Sequence, residues 1–456
     1  MTSELIADQQ WFRSSDGKSL LAGSPLTSFT VSEAGAQVLN AIENGDALPT
    51  NHASLTSRLL AKGAIHPLTD LTVPSSEITV VIPAFITDNQ GHQQLTSLVS
   101  QLSDMSVIVV DDFSPIPIHI SNVTVIRREN NGGPGAARNT GVQQVTTNFV
   151  AFVDADVSAS GESLRRLASL LRDETIALVA PRIATENEKT FLSEYESLRS
   201  PLDLGAEPAV VRPLSRVSYV PSAVLVGRTS QLKEQFSFDE SMRLGEDVDL
   251  VWRIVESGLI VRYVPSVVCQ HLARTSWSAL LKQRFGYGSS AATLNSHHRR
   301  AASPLRANLV LLLPAAALLA GYLYFAVLLA LPMYFYFATT LQGTGISLRQ
   351  RVNVTTIGFK ATVRLLASAV RRAWWPIFAL SSLVFQPMLF VMLFSVLAAP
   401  AYGIVKQKPR FPGEYFIMRI LDDCAYGLGV WAGAIRTRKF GCLLPVITLR
   451  RSSPQK

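Results

Sequence analysis

Five short runs of mostly branched apolar residues, ITVVIPAF, VIVVDDFS, VTVIRR, FVAFVDAD and ALVAPRI, follow one another from Ile78 onward. Runs of this length and near-continuous apolarity suit parallel strands covered on both faces. Helical stretches such as GESLRRLASLLRDE lie between them, which predicts an α/β sheet over residues 77–300.

Before Glu77, residues 1–76 read as a small module of their own. WFRSSDGKSLLAG predicts a hairpin around Asp16 and Gly17, followed by a helix that starts near Ser32 and stops at Gly45, then a second helix that stops at Gly63. Strands followed by short helices suggest a winged-helix-like module without catalytic residues.

After Ser303 the pattern changes again. Two long apolar stretches, 307–348 and 373–405, each exceed the roughly 20 residues that cross a bilayer. They account for much of a composition that is 48% hydrophobic and only 17% charged. The +8 formal charge gathers beside them, in Arg299, Arg300, Arg306, Arg349, Arg351, Lys360, Arg364, Arg371 and Arg372. Basic flanks on apolar stretches point to membrane lipid as a partner and not to nucleic acid. If each stretch crossed once, the basic loop 349–372 would lie outside. Hairpin-like insertion keeps every basic segment cytoplasmic, and is the favoured arrangement for a membrane-associated helical region over 301–456. Cys269, Cys424 and Cys442 are too scattered for a disulfide framework or a zinc pattern, which fits a reducing compartment.

Chemistry concentrates where the apolar runs end. Asp154 and Asp156 close FVAFVDAD; positions i and i+2 of a strand point the same way, so the pair is expected to face one ligand in the crevice at the carboxyl end of a sheet. Mg²⁺ or Mn²⁺ takes one or two carboxylates and completes its shell with phosphate oxygens and water, so Asp-Ala-Asp suits a metal-bound phosphate ligand. Alone, the pair reads equally as a solvated strand end. Asp111 and Asp112 end a second run and Pro83 and Ala84 a third, positions suited to nucleoside hydroxyls or, more plainly, to turns and caps. ENNGGPGAARNTG opens a helix like a phosphate cradle but lacks the third glycine of a dinucleotide fingerprint, where Arg138 stands. LGEDVDLVWR places Glu246 and Asp247 in a first helical turn, where acidic residues ordinarily meet the helix dipole.

The ordered set PAF, VVDD, GPGAARN, DAD and GED, spread over residues 77–285, resembles the family 2 glycosyltransferases, nucleotide-sugar enzymes of GT-A fold with a mixed sheet and helices on both faces. The resemblance implies that Pro83, Ala84, Asp111 or Asp112, and Arg138 hold a uridine nucleotide, and that Asp154 contacts its nucleoside. It also implies that Asp156, with Asp154 and His271, holds a divalent metal. The GED segment then supplies the base: Asp247, with Glu246 beside it, takes a proton from the acceptor hydroxyl while the diphosphate leaves, inverting the anomeric carbon. Gln283 and Arg284 stand where related membrane synthases carry an acceptor or diphosphate motif. Its tryptophan is missing here, and Ile86 replaces the family's asparagine.

RSPLDLG, RVSYVPSAVLVGR, RLGEDVDLVWR and RFGYGSSAA are further similar to the mycofactocin-system group of that family. That likeness implies glucose transfer from UDP-glucose to a peptide-derived acceptor, giving a β-1,4-linked oligoglucose chain, with residues 1–76 as a peptide-recognition module and other pathway proteins as partners. The expected location is the cell membrane, catalytic domain on the cytoplasmic side. Transfer to a lipid-linked or polysaccharide acceptor is the competing expectation. A dinucleotide oxidoreductase is excluded by IPAFITDNQG, which stands where a complete GxGxxG would follow the first strand. A degenerate, non-catalytic adaptor would lose the carboxylates at 154, 156 and 247, which are present.

Overall fold

The five apolar runs form strands of one nine-stranded mixed sheet, the centre of the first of two units. The computed structural model describes residues 4–50, 52–68, 71–186, 190–273 and 276–448. The first unit comprises Met1–Gln9, Gly23–Pro25 and Val38–Ala273; the second comprises Gln10–Ala22, Leu26–Gln37 and Arg274–Lys456. Residues 1–76 are thus shared between them.

The sheet contains β1 (Ile78–Ala84), β2 (Ser106–Asp111), β3 (Thr124–Arg127), β4 (Phe149–Val153), β5 (Val157–Ser158), β6 (Ile176–Thr185), β7 (Ala209–Val210), β8 (Val224–Arg228) and β9 (Ile260–His271). Its order is β5-β9-β6-β8-β4-β1-β2-β3, with β7 also on β9. The stretch β4-β1-β2-β3 is parallel throughout. Strand β8 then lies antiparallel between β4 and β6. The expectation of parallel pairing therefore holds for β4-β1-β2-β3 and for β6 on β9, and fails at β8 and where β5 and β7 meet β9. Apolarity on both faces marks a covered strand, and β8, VLVGR, is buried like the parallel strands of the sheet, so direction is not written in it.

Chain direction places the crevice. From β1 the chain steps outward to β2 and β3, then returns across β1 to form β4, so the strand order reverses between β1 and β4. Their carboxyl ends therefore border an open crevice, where α/β sheets bind ligands. Val80, Val81, Ile82, Val109, Val150, Ala151, Phe152 and Val153 are fully buried beneath it. At roughly 1.5–3 kcal/mol for each large apolar side chain removed from water, this layer makes a rigid floor.

Three helices of this unit matter below. Helix α1 (Asn89–Gln101) begins at Asp88, whose Oδ1 accepts from Gly91 N at 2.8 Å. Helix α2 (Pro134–Gln144) lies so close on β1 that a Cβ at Gly141 would stand 2.3 Å from Val81 Cγ1. Helix α3 (Glu246–Glu256) buries Leu250, Val251, Trp252 and Ile254 on one face.

In the second unit a three-stranded antiparallel sheet, Trp11–Arg13, Ser19–Ala22 and Thr27–Thr30, contains the expected hairpin around Gly17. Its Leu21 packs with Leu341, Ile346 and Val354. Each long apolar stretch is broken into a short and a long helix: Leu309–Leu319 with α4 (Leu323–Thr340), and Trp375–Ser381 with α5 (Pro387–Gln407). Among the described residues, the segments Leu323–Thr344 and Pro387–Gln407 are long and apolar enough to cross a membrane, and most of that apolar surface is unburied. Helix Trp277–His297 packs on α6 (Pro412–Thr437) through glycines, since a Cβ at Gly429 would stand 2.0 Å from Phe285 O and one at Gly433 2.3 Å from Ser289 O.

Candidate active site

Arg138 is the centre of the site. It is the fifth residue of α2, a helix whose N-cap, Gly133, holds φ +90 and is followed by Pro134, a residue suited to a first helical position. Its guanidinium is 2% exposed and forks between two carboxylates, with Nη2 2.5 Å from Asp154 Oδ1 and Nη1 3.1 Å from Glu246 Oε1. The ring of Phe238 lies 5.3 Å from it. Gly135 lets α2 and α3 meet here, because a Cβ would stand 3.1 Å from Glu246 Cγ. The next side chain, Asn139, points elsewhere. It donates to Phe238 O and accepts from Phe238 N, both at 2.9 Å, which fixes the segment leading to α3.

The two aspartates of FVAFVDAD do not act as a strand pair. Strand β4 ends at Val153, and Val157 N donates to Asp154 O at 3.1 Å, so residues 154–157 form a turn. The two-residue periodicity lapses with the strand. Asp154 turns to Arg138, while Asp156 Oδ2 lies 3.2 Å from His271 Nε2 at the end of β9. Among the described residues no three His, Cys, Asp or Glu side chains converge as a metal-ligand set, so Asp154, Asp156 and His271 are not one cluster. Asp156, with its side chain 49% exposed, and His271, at 7%, remain a neighbouring pair. The Asp156 carboxylate suits a hard cation that takes its other ligands from phosphate and water, and the His271 imidazole beside it is a softer ligand.

Asp111 and Asp112 are buried and engaged by internal donors. Asp111 accepts from Ser114 N at 2.8 Å, from Ile118 N at 3.3 Å and from Arg127 at 2.5 Å. Burial pushes its pKa up, but these hydrogen bonds outweigh burial and hold it below the usual carboxylate value. Asp112 accepts from Gly132 N at 3.0 Å, from Gly133 N at 2.7 Å and from Arg128 at 2.5 Å, which clamps the loop entering α2. These residues shape the rim. Asp112 N in turn donates to Ala84 O at 2.8 Å, which ties the ends of β1 and β2 together where Pro83 and Ala84 stand.

Asp247 is half-buried and presents a carboxylate held by backbone donors alone: Val248 N to Oδ1 at 2.8 Å and Ser222 N to Oδ2 at 3.3 Å. Burial raises its pKa, against those backbone donors and Arg138. Burial also pushes Glu246 up, to about 7, with the neighbouring Asp247 charge adding and Arg138 opposing. Two adjacent carboxyls of raised pKa in one crevice are a signature of acid–base chemistry. Of the two, Glu246 is the one within 3.1 Å of Arg138.

Gln283 and Arg284 belong to the second unit. Arg284 Nε lies 3.2 Å from Asp422 Oδ1, and Gln283 donates to Tyr287 Oη at 2.7 Å. Two aromatics not among the expected site residues, Phe85 and Phe113, stand 50% and 48% exposed just past β1 and β2. Arg243 joins them at the rim, its two Nη atoms donating to Asn131 Oδ1 and O at 2.8 and 2.9 Å. An unneeded aromatic after a strand end was the available signal for the first two; for Arg243 there was none.

Residues 79–220 match the Glycosyl transferase family 2 model. Along nearly its whole length the chain is also similar to the Pre-mycofactocin glycosyltransferase of Mycobacterium tuberculosis, in strains CDC 1551 / Oshkosh and ATCC 25618 / H37Rv, with 34% identity over 462 residues and 95% of each chain covered. The chain belongs to the family 2 glycosyltransferases. A more distant relative of this transferase is the succinoglycan biosynthesis protein ExoO of Rhizobium meliloti (strain 1021), 25% identical over 228 residues, or 45% of this chain and 64% of that one. Among solved structures, the mannosyltransferase PcManGT from Pyrobaculum calidifontis in complex with GDP-Man and Mn2+ aligns with a TM-score of 0.41 and 12% identity, covering 80% of this chain and 91% of that one.

Proposed function

We propose that this glycosyltransferase moves glucose from UDP-glucose to a peptide-derived mycofactocin precursor, with inversion, and extends it into a β-1,4-linked oligoglucose chain. The observation that carries the reading is the 34% identity to a Pre-mycofactocin glycosyltransferase across 95% of both chains. The donor occupies the crevice between β1 and β4. Asp154, oriented by Arg138, meets the nucleoside side, and the rim built by Pro83, Ala84, Asp111 and Asp112 holds the base.

Asp247 takes the proton from the attacking hydroxyl; its raised pKa makes it a stronger base than an ordinary carboxylate. Glu246 pairs with Arg138 and holds the end of α2 in place. Asp156, with His271 beside it, would hold Mg²⁺ or Mn²⁺, a charge that would stabilise a leaving diphosphate. The segments Leu323–Thr344 and Pro387–Gln407 seat the enzyme on the cytoplasmic side of the cell membrane. Residues 1–76, expected from the sequence as a winged-helix-like module, make the acceptor-peptide contact in this proposal. A lipid-linked acceptor is the second reading, and the two apolar helices are the observation that favours it.

The test is UDP release from UDP-glucose by the purified full chain with divalent metal, with and without the peptide-derived acceptor, in the parent and in Asp247→Asn. Acceptor-dependent release lost in the variant supports the proposal. Release driven only by added lipid transfers it to the second reading.

A further inference from the structure

Four arginines of the second unit crowd around two aspartates. Arg284 from helix Trp277–His297 meets Asp422 of α6 at 3.2 Å. Arg371 and Arg372, from the single π-helical turn Val370–Trp374, meet Asp423 at 2.8 and 3.2 Å. Arg419 meets Asp423 at 3.3 Å and Asp422 at 3.9 Å. Four guanidiniums against two carboxylates leave a formal surplus of two positive charges. The chain from residue 274 to 456 holds just one other acidic residue, Glu414, which is exposed. Side chains of Arg284, Arg371 and Arg419 are only 4%, 13% and 8% exposed. A buried cationic surplus is costly unless an anion completes it.

Orphaned donors mark where that anion belongs. Arg284 Nη2 and Trp375 Nε1 are buried without a hydrogen-bond partner; Arg372 Nε and Asp423 Oδ1, also without one, face each other at 3.2 Å. The Arg372 backbone carbonyl and Trp375 Nε1 both lie against Gly427, while the Arg372 side chain reaches Asp423 and the Tyr426 ring. The Arg372 guanidinium sits 3.8 Å over the Tyr426 ring, and a Cβ at Gly427 would stand 2.2 Å from Arg372 O and 2.9 Å from Trp375 Nε1. Arg372, 34% exposed, is the accessible member. π-Helical turns are rare and recur at functional sites.

We propose that this cluster binds the phosphate headgroup of an anionic membrane lipid. Arginine forks and an indole N–H are matched donors for phosphate oxygens, and Trp and Tyr favour headgroup depth. The cluster immediately precedes the apolar segment that contains α5, whose apolar window is only 17% buried, so a ligand with an acyl anchor would lie alongside it. The proposal rests on the reading of this unit as membrane-associated.

The experiment follows the melting temperature of the detergent-solubilised full chain during titration with phosphatidylglycerol, with phosphatidylcholine of the same tails, and with inorganic pyrophosphate. Flotation with vesicles of each lipid runs in parallel. Phosphatidylglycerol alone should raise the melting temperature. Its apparent affinity should fall about tenfold in Arg372→Gln and less in Arg372→Lys, which keeps the charge but not the fork. Trp375→Phe, which keeps the packing but removes Nε1–H, should weaken it about threefold and serves if Arg372→Gln does not fold. Equal stabilisation by phosphatidylcholine, or an unchanged response in Arg372→Gln and Trp375→Phe, overturns the proposal. An equal effect of pyrophosphate also overturns it and reassigns the site to a soluble phosphate. Failure to float with either lipid overturns the membrane reading itself, whereas equal flotation with both overturns only the headgroup site.

Discussion

Buried Arg138, the fifth residue of one helix, pairs at 2.5 Å with Asp154, the first residue past a strand, whose side chain is 31% exposed, and buried Glu246 shares the same guanidinium at 3.1 Å. The pair links α2, β4 and α3 at the floor of the crevice.

Arg138→Leu therefore leaves two carboxyls without their common counter-ion. The expected loss is about 3–5 kcal/mol of stability, as for other buried pairs broken on one side. Urea denaturation measures it. Arg138→Lys, which keeps the charge without the fork, should lose less stability yet still weaken UDP binding, and equal stability losses in the two variants would contradict the bidentate role.

Asp247→Asn should lower kcat by about 10²–10⁴ while leaving the donor KM within about twofold, because it removes the proton acceptor from a site otherwise intact. Steady-state kinetics decide it. Should Glu246→Gln show the larger kcat loss without loss of stability, the roles of the two residues are reversed.

A pH effect follows from Glu246, whose pKa rises from 4.5 to about 7, chiefly through burial. The folded protein then holds this proton more tightly than the unfolded chain. Its contribution is full below pH 4.5 and is lost as pH rises to about 7. Glu246→Gln fixes the neutral form, so the melting temperatures of parent and variant should diverge in the variant's favour between pH 5 and pH 8. Parallel curves would place the titration elsewhere.

Asp156→Ala should weaken metal-dependent UDP binding about 10–100-fold without changing metal-free binding, and His271→Gln should do so by a smaller factor. Calorimetry with and without Mn²⁺ reads both. An undiminished metal effect in Asp156→Ala would remove this pair from consideration.

Gly433→Leu tests helix packing, since even a Cβ would meet Ser289 O at 2.3 Å. Forcing helix Trp277–His297 away from α6 should cost about 1–3 kcal/mol, read by thermal unfolding. An unchanged melting temperature would mean that the close approach is not tight in solution.

Much of the first unit was legible because its signals are local. ITVVIPA, SVIVVD and FVAFV became β1, β2 and β4 because uninterrupted branched apolar runs have no other stable use in a helix-covered sheet. Helix α3 began at Glu246, as the change to helical spacing indicated. Less legible was Asp-Ala-Asp, since the period of two that aligns side chains ends with the backbone that imposes it, and Val153 is the last strand residue.

The amino-acid order by itself determined which segments are strands, which are helices, and that carboxylates gather at strand ends, because each follows from spacing and residue type within a few positions. Only the tertiary structure decided which carboxylates have partners. Arg138 lies 16 residues from Asp154 and 108 from Glu246, and Asp156 lies 115 from His271. Contacts at such separations are set by how strands order in the sheet and how closely α2 packs on its neighbours, and chain spacing carries no record of either.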